Sequence, residues 1–437
     1  MALRRAHGRN LPVLHAEPNG LTVTLLNYNV PLSGLATTSG ATNVGKAFDA
    51  IKKNATGDLG FVAQQLVGLS DTQLDSALRS LSGEIHASQT RLSTTDAVTI
   101  TDMIRNTLSE RESDAEEAKA DAGGQTAAAV RSKPSAYWIQ FAADHASLKD
   151  GTANVGGGGY DFKQSDNVTA GAGFSFTQGT LSLLGSGGQS AMKAPRAFGY
   201  SGFGWGPFRI HGGGSAAKAT NHTKRNIQFM ATVPNQAGQP VPLTNRANRA
   251  LTVHDPRLFE DTPSTTQPAS DGVDRTAESD QTSINHDQWT EIRDTLKIKT
   301  WTIDWKVGLR QMQVIRHAFS ETGADSISLE AAGDETTTMR ETDLNFHVFK
   351  KKGKWRPNFM FSYRREFAPD VTSAEVEFAG RNDSKFESEG LPIPNVEYKA
   401  LAGITMSSLL GQYTLEYHFS HAKEETHNSL SFKMRFF

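Results

Sequence analysis

The residues best suited to enzymatic chemistry do not form an ordered motif in this sequence. Serine, histidine and aspartate are plentiful, but no G-x-S-x-G segment presents a nucleophilic serine, and the chain has no cysteine. His86 has no H-E-x-x-H partner for zinc, and GGGGY at 156–160 lacks the Lys and Ser/Thr of a phosphate-binding loop. We therefore expect no enzyme, metal or cofactor, with His86 structural and 156–160 a flexible loop.

A second group of reactive side chains is charged and alternates with apolar residues. Between residues 412 and 420, aromatic and aliphatic side chains occupy the odd positions and polar or ionisable ones the even positions. The same period of two recurs at 343–348 and 430–436. Charges at membrane depth are tolerated where they face water or one another. The residues that we predict to line such a water-filled lumen are Arg364, Glu416, His418, Lys433 and Arg435.

Composition and charge narrow the class of protein. The 45 basic and 47 acidic residues nearly balance, so nothing attracts a nucleic-acid backbone and we expect no nucleic-acid partner. No run of about 18 apolar residues exists, which excludes a helical membrane span, whereas a barrel strand needs only about 10 alternating residues. A signal peptide needs about 7 to 15 apolar residues, and the N-terminus offers only 11–14. If the protein is exported, we expect this chain to be a truncated precursor.

After Pro134 the period of two persists to the C-terminus and predicts twelve strands. We place them at 136–147, 167–177, 180–191, 196–204, 207–218, 295–305, 308–318, 337–349, 355–366, 387–406, 412–421 and 429–437. Aromatic residues near the predicted strand ends, such as Trp138, Trp301 and Trp355, would form interfacial girdles.

The predicted links between these strands fall into two classes. Alternate links are tight, at Gln178-Gly179, Trp205-Gly206, Lys306-Val307, 350–355 and 407–411. The intervening links are mostly longer, and we expect 219–290 to contain a mobile extracellular loop. Short turns at one rim and long loops at the other are typical of outer-membrane barrels, in which the short rim is periplasmic.

The first third of the chain carries helical patterns instead. Residues 43–94 have apolar side chains three or four apart, which predicts short amphipathic helices. From Thr95 to about Asp121 the chain has no Pro or Gly and becomes polar on every side. A helix of that length spans about 40 Å, enough to cross a membrane, but it has no face for lipid. It must lie in a wet pore or in bulk water as a solvated acidic linker.

Several segments resemble the autotransporter β-domain family of type V secretion. LDSALRSLSGEIHAS at 74–88, preceded by NVGKAFDAIKK at 43–53, resembles the family's junction motif. RPNFMFSYRREFAPD at 356–370 resembles a strand of the family's barrel, and 374–406 is similar to the segment that follows it. The resemblance covers about residues 43–437, apart from 219–290.

The resemblance implies an all-β fold, a twelve-stranded antiparallel transmembrane β-barrel with an N-terminal helical linker inside the lumen. The implied segments are 1–42 for the end of the passenger, 43–94 for the helical junction, 95–132 for the lumenal linker helix and 133–437 for the barrel. The implied function is an outer-membrane translocator that anchors its own N-terminal passenger and exports it to the cell surface. The alternatives are a porin-like diffusion channel and a secreted soluble β-rich adhesin.

The implied partners are outer-membrane lipid, the barrel-assembly machinery, periplasmic chaperones and the passenger, and we expect a monomer. The assembly signal would comprise Phe432, Met434, Phe436 and Phe437, shifted by one residue from the family's usual ending. No Asn-Asn dipeptide lies near the helix, which argues against self-cleavage. We also predict that the lumenal side chains contact the acidic part of the helix, the alternative being a hydrated wall without such contacts. Those acidic residues are Glu110, Glu112, Asp114, Glu116 and Glu117.

Overall fold

Twelve strands form a closed antiparallel barrel in the computed structural model, and a long helix runs through it. The predicted fold is therefore confirmed. The residues that the structure describes are 10–17, 20–27, 30–121, 137–146, 151–164, 168–205, 208–234, 240–242, 272–350, 354–367, 371–408, 411–422 and 425–436.

The N-terminal part contains a β-hairpin followed by four α-helices. Their bounds are β1 Asn10–Glu17, β2 Gly20–Asn27, α1 Ser39–Ile51, α2 Gly57–Gly68, α3 Asp71–Leu81 and α4 Glu84–Asp121, with a short 3₁₀ turn at Leu32–Leu35. The sequence explains the start of α3, because the Ser70 backbone N–H donates to Gln73 Oε1 at 3.2 Å as in a capping box. None of the described helices combines the length and apolar character needed to cross a membrane.

Each barrel strand pairs with the next in the chain, and the last pairs with the first. The barrel strands are β3 Tyr137–Ala146, β4 Gly151–Gln164, β5 Val168–Leu183, β6 Gly188–Trp205, β7 Phe208–Phe229, β10 Val273–Ile298, β11 Trp301–Arg316, β14 Glu335–Lys350, β15 Trp355–Glu366, β18 Val396–Ser407, β19 Gly411–Ala422 and β20 Glu425–Phe436. Closure places Lys433 of β20 opposite Gln140 of β3. The closed ladder leaves no backbone edge facing lipid.

The links sort to the two rims of the barrel. One rim, the short-link rim, carries 165–167, 206–207, 299–300, 351–354 and 408–410, together with the start of β3 and the end of β20. The opposite long-link rim carries the three long segments between β7 and β10, between β11 and β14, and between β15 and β18, together with the shorter links 147–150, 184–187 and 423–424. All three long links lie at one rim, as predicted, but two of the five predicted tight turns are not links. The long segment between β7 and β10 lies mostly outside the described residues.

Several predicted strand boundaries are wrong. Gln178-Gly179 and Lys306-Val307 lie within β5 and β11 rather than in turns, and 156–160 lies within β4 rather than in a flexible loop. These glycines make space, since a Cβ at Gly159 would lie 2.7 Å from Nε1 of Trp138 and one at Gly179 would lie 2.9 Å from Leu92. The count of twelve is right because the missed β4 offsets the region of β5 and β6 that we divided into three strands.

Two further boundaries need correction at the long-link rim. The predicted strand 387–406 is two strands, β17 Phe386–Pro392 and β18, separated by residues 393–395. Much of the predicted loop 219–290 belongs to β7 and β10, which extend past the neighbouring strands. The second error arises because the residues beyond the membrane are polar on both faces and their strand pattern is weak.

A cap covers the long-link rim. It comprises α1, α2, α3 and a four-stranded sheet in the order β12-β13-β16-β17. The remaining short elements are β8 Thr232–Pro234, β9 Pro240–Pro242, β12 Phe319–Ser320, β13 Leu329–Ala331, β16 Val371–Phe378 and β17 Phe386–Pro392, with 3₁₀ turns at Asp325–Ile327 and Asn382–Ser384. The Phe48 and Phe378 rings meet at 4.9 Å, and Leu78 and Leu329 join the same buried core. The cap therefore has its own apolar core.

The outward face of the barrel is apolar and aromatic. Phe174 is 75% exposed and Phe361 is 51% exposed, values that water would penalise and lipid would not. Trp301 and Trp355 lie exposed at the short-link rim, as expected for a girdle. Trp138 is an exception to that prediction, because its side chain is buried in the lumen.

Gly83 joins the cap to the lumenal helix, and it generates a prediction. Its φ is +69°, and a Cβ there would lie 2.6 Å from Leu329 Cδ1, whereas Gly57 has φ +61° and open space around it. Both Gly83→Ala and Gly57→Ala incur the left-handed backbone cost, so their difference isolates the clash. We expect Gly83→Ala to lower the free energy of unfolding of the cap by about 1 to 3 kcal/mol more, measured by hydrogen exchange of α1–α3. Equal effects would contradict this packing.

Candidate functional site

The candidate functional site is the lumen with α4 inside it, and α4 has a defined direction. Its first turns lie at the long-link rim, where the Leu391 backbone N–H donates to Ser88 Oγ at 2.9 Å. Further along, Leu108 joins a buried cluster with Trp138, which lies next to the start of β3 at the short-link rim. The chain therefore passes through the barrel from the long-link rim to the short-link rim.

The entry of α4 is fixed by a buried network around His86. The ring of His86 stacks on Phe319 at 4.0 Å, and its Nε2 lies 2.8 Å from Glu321 Oε1. Arg225 of β7 donates to both carboxylate oxygens of Glu321, at 3.0 and 2.6 Å, and to the Ser80 carbonyl at 2.7 Å. The junction motif thus links the cap, the helix and the wall through one histidine.

An ion pair joins the middle of α4 to the wall. Arg196 Nη2 of β6 donates to Asp96 Oδ2 at 2.5 Å, and Thr177 of β5 donates to Oδ1 at the same distance. Neither Asp96 nor Arg196 has an exposed side chain. A buried charge pair of this kind is costly to break on one side, because the remaining charge stays desolvated.

A second ion-pair cluster surrounds Arg105. Its Nε donates to Glu291 Oε2 at 2.5 Å, and its two amino groups donate to Asp343 at 3.0 and 2.7 Å. His211 pairs with the other oxygen of Glu291 at 2.8 Å. A Cβ at Gly308 would lie 2.7 Å from Arg105 Nη2, so the glycine leaves room for the guanidinium. The two-pronged pairing with Asp343 fixes the rotation of the helix.

An apolar cluster, the aromatic belt, fills one side of the lumen near the short-link rim. Ile100, Ile104 and Leu108 of α4 face four inward aromatic side chains. Those side chains are Trp138, Phe198, Tyr200 and Trp289. On this side of the lumen the wall presents aromatic rings instead of charges, and their packing against α4 excludes water.

The opposite side of α4 leaves space. A cavity of about 130 Å³ lies between the helix and the wall of β14, β15, β18, β19 and β20. Asp102 faces it and pairs with Lys399 Nζ at 2.9 Å and with Arg364 Nη2 at 3.3 Å. Arg364 also donates to Glu397 at 2.9 Å. The helix therefore sits off-centre, held against the β4 to β11 side of the wall.

The structure places the predicted lumenal residues on the inner wall, with different surroundings. Arg364 contacts α4 through Asp102. Glu416 is buried, and its Oε2 lies 3.6 Å from His418 Nε2. Lys433 and Arg435 are buried side chains of β20.

Other predicted residues lie partly outside the described part of the chain. The structure describes the backbone of α4 to Asp121, but its described side chains end before residue 110. The predicted contacts of five acidic residues therefore stay a prediction: Glu110, Glu112, Asp114, Glu116 and Glu117. Phe432 is 39% exposed on the outer face, and Met434 is partly exposed on the same face. The Phe436 side chain and Phe437 lie outside the described residues.

We predicted neither Asp96 nor Arg105 as a functional residue. A signal was present, since the apolar first half of the predicted helix is interrupted by both charges and by Asp102. Their wall partners, such as Glu291 and Asp343, occupy alternate strand positions. Partner identity depends on strand register over a separation of 186 residues for Arg105 and Glu291, which local patterns do not encode.

Comparisons with known proteins support the fold. The translocator domain of the autotransporter NalP from Neisseria meningitidis matches with a TM-score of 0.50 and 12% identity, over 78% of this chain and 98% of that chain. The chain has the fold of an autotransporter translocator domain. The Bordetella BrkA β-domain matches at 0.40 with 10% identity over 69% and 98% of the two chains, and the Ralstonia pickettii toluene transporter TbuX at 0.39 with 9% identity over 70% and 90%. No family model and no curated protein sequence matches.

This translocator-domain fold belongs in an outer membrane. A closed strand ladder satisfies its backbone groups without water, and the exposed aromatic side chains of the wall match a lipid environment.

The Asp96 pair predicts how the helix is held. Asp96→Ala leaves Arg196 charged and buried, which costs about 3 to 5 kcal/mol for a buried pair. We expect this variant to show frequent large openings in single-channel recordings of the full chain in planar bilayers, where the wild type stays at low conductance. The double variant Asp96→Leu with Arg196→Met removes both charges and should be quieter than the single variant. Identical traces for all three would contradict the role of the pair.

Glu321 predicts a pH dependence of the cap. Burial raises its pKa, but Arg225 and the His86 hydrogen bond outweigh burial and lower the pKa to about 2. Because the folded pKa lies below the unfolded value of about 4.3, the stabilisation is present above that value and is lost as pH falls towards 2. We expect protection of α1–α3 against hydrogen exchange, corrected for the intrinsic rate, to fall across this window. The Glu321→Gln variant should have less protection of α1–α3 at pH 7, and its protection should fall less than that of the wild type as the pH is lowered. An equal fall in both proteins would show that Glu321 does not cause the pH dependence.

Proposed function

We propose that this chain is the translocator of an autotransporter, which anchors its own N-terminal passenger and exports it to the cell surface. The observation that carries the proposal is the direction of α4. Residues 39–81 lie in the cap at the long-link rim, while the barrel strands begin at the short-link rim, so the chain crosses the membrane once before it forms the barrel. The residues that precede α4 must therefore have crossed the membrane during assembly of the barrel.

The orientation follows from the links. In outer-membrane barrels the short links face the periplasm and the long ones the exterior, which puts the cap outside the cell. Residues 1–42 would then be the end of the passenger, 43–94 the junction and 95–132 the lumenal linker. Insertion would depend on periplasmic chaperones and the barrel-assembly machinery, with Phe432, Met434, Phe436 and Phe437 as the assembly signal.

A diffusion channel is the main alternative, and the lumen argues against it. Ion pairs at Asp96, Asp102 and Arg105 tie α4 to strands on both sides of the barrel, and the aromatic belt packs on its lower half. A solute would have to displace this helix. A diffusion channel would not need wall charges that pair one by one with the charges of a helix blocking its lumen.

Surface display tests the proposal. A cysteine-free reporter domain is fused ahead of residue 1, behind an export signal, and antibody binding is measured on intact cells. We expect the reporter at the surface, because it precedes α4. An epitope inserted at 351–353 in the same chain should become accessible only after permeabilisation.

A matched control separates export from leakage. The same reporter, produced unfused beside the chain, should remain in the periplasm, since only covalent attachment commits it to the barrel. A fused reporter that stays in the periplasm above a correctly folded barrel would refute the translocator assignment. An unfused reporter that escapes would indicate an open channel.

A further inference from the structure

Two arginines lie side by side on the outward face of β14 and β15 near the long-link rim. Arg365 pairs in register with Thr342, and the Phe367 backbone N–H donates to the Arg340 carbonyl at 2.7 Å. Arg340 and Arg365 are thus diagonal neighbours on one face of the sheet, and both are exposed. Diagonal neighbours in a sheet lie roughly 7 to 8 Å apart, with their Cβ atoms somewhat closer, so two long side chains can reach a common ligand.

The height of these arginines corresponds to the outer headgroup layer. Arg365 lies ten residues after Trp355, and Arg340 lies ten residues before Lys350, both of which are at the short-link rim. Ten residues rise roughly 33 Å along a strand, or about 25 Å at the usual tilt, which is the height of the apolar band. Apart from Thr342, the outward residues between them are apolar or aromatic, including Phe359, Phe361, Leu344 and Phe346. The arginines therefore lie where acyl chains end.

No acidic partner neutralises this pair within the described part of the chain. Arg340 Nε donates to Gln311 Oε1 at 3.3 Å, and the Arg365 guanidinium lies 5.4 Å over the Phe367 ring. By contrast, two outward side chains of β7 have acidic partners on β10. The pairs are His222 with Asp280 at 3.0 Å and Lys224 with Glu278 at 3.3 Å.

We propose that Arg340 and Arg365 together bind one phosphate group of an anionic glycolipid in the outer leaflet. Guanidinium groups present a planar fork that matches phosphate oxygens, and two forks on one phosphate satisfy its charge. The strip beneath them suits acyl chains, with the Tyr363 and Tyr398 rings in contact at 5.5 Å. A partly desolvated phosphate at this depth also gains from the low dielectric of the headgroup boundary. This site does not depend on passenger export.

Binding of lipid A to the full refolded chain tests the proposal. Native mass spectrometry from detergent, with added lipid A, should show one tightly bound molecule per barrel. Arg340→Gln with Arg365→Gln should weaken that binding at least tenfold, while Arg365→Lys should weaken it less, because it keeps the charge and loses the fork. Lys299→Gln with Lys350→Gln removes two cations from the opposite rim and should leave the binding unchanged. A heat-dependent shift in gel mobility confirms folding of every variant.

Four outcomes would overturn the site. Equal affinity of the wild type and the Arg340→Gln, Arg365→Gln variant for lipid A would show that the arginines do not bind it. Equal losses in the control variant at the opposite rim would indicate general charge attraction. If the wild type binds dephosphorylated lipid A as tightly as lipid A, the site does not bind the phosphate group. If it binds inorganic phosphate with no preference for the lipid, the ligand is not a lipid phosphate.

Discussion

The absence of water in the lipid core is the constraint on which the rest of this structure depends. Backbone groups there can bond only to one another, so the strands must close, and β20 completes the ladder against β3. Closure turns the polar side of every strand inward. A helix without a lipid-compatible face, such as α4, can cross the membrane only in the space that this closure creates. The barrel therefore provides the polar surroundings that α4 needs in order to cross the membrane.

The charges of the lumen are distributed over both partners. Asp96 and Asp102 of α4 face Arg196 and Lys399 of the wall, whereas Arg105 faces wall carboxylates. Moving the helix by one turn would separate these oppositely charged partners and leave several buried charges unpaired. Buried ion pairs contribute little net stability, but they make displaced arrangements costly. Their role here is to select one register and one rotation for α4.

The sequence indicated the barrel well and the lumen poorly, for a physical reason. A period of two is a local property, and it persisted wherever one strand face met lipid, as in β19 and β20. Glycines were misleading because they have two uses. Gly179 resembles a turn residue in the sequence, but it is a position where Leu92 of α4 approaches the wall. No local pattern distinguishes these uses.

Glycine also underlies the aromatic belt, and this has a consequence for the cell. A Cβ at Gly159 would meet the Trp138 ring, one at Gly173 the Phe198 ring and one at Gly213 the Trp289 ring, so each ring lies flat on bare backbone. The rings thus fill the gap around Ile104 and Leu108 without bulging the wall. A wide pore would admit bile salts and antibiotics and dissipate gradients of small solutes. Together with α4, these rings block one side of the lumen, and the other side keeps a cavity of only about 130 Å³. A cell can therefore carry many copies of this barrel with little leakage through each one.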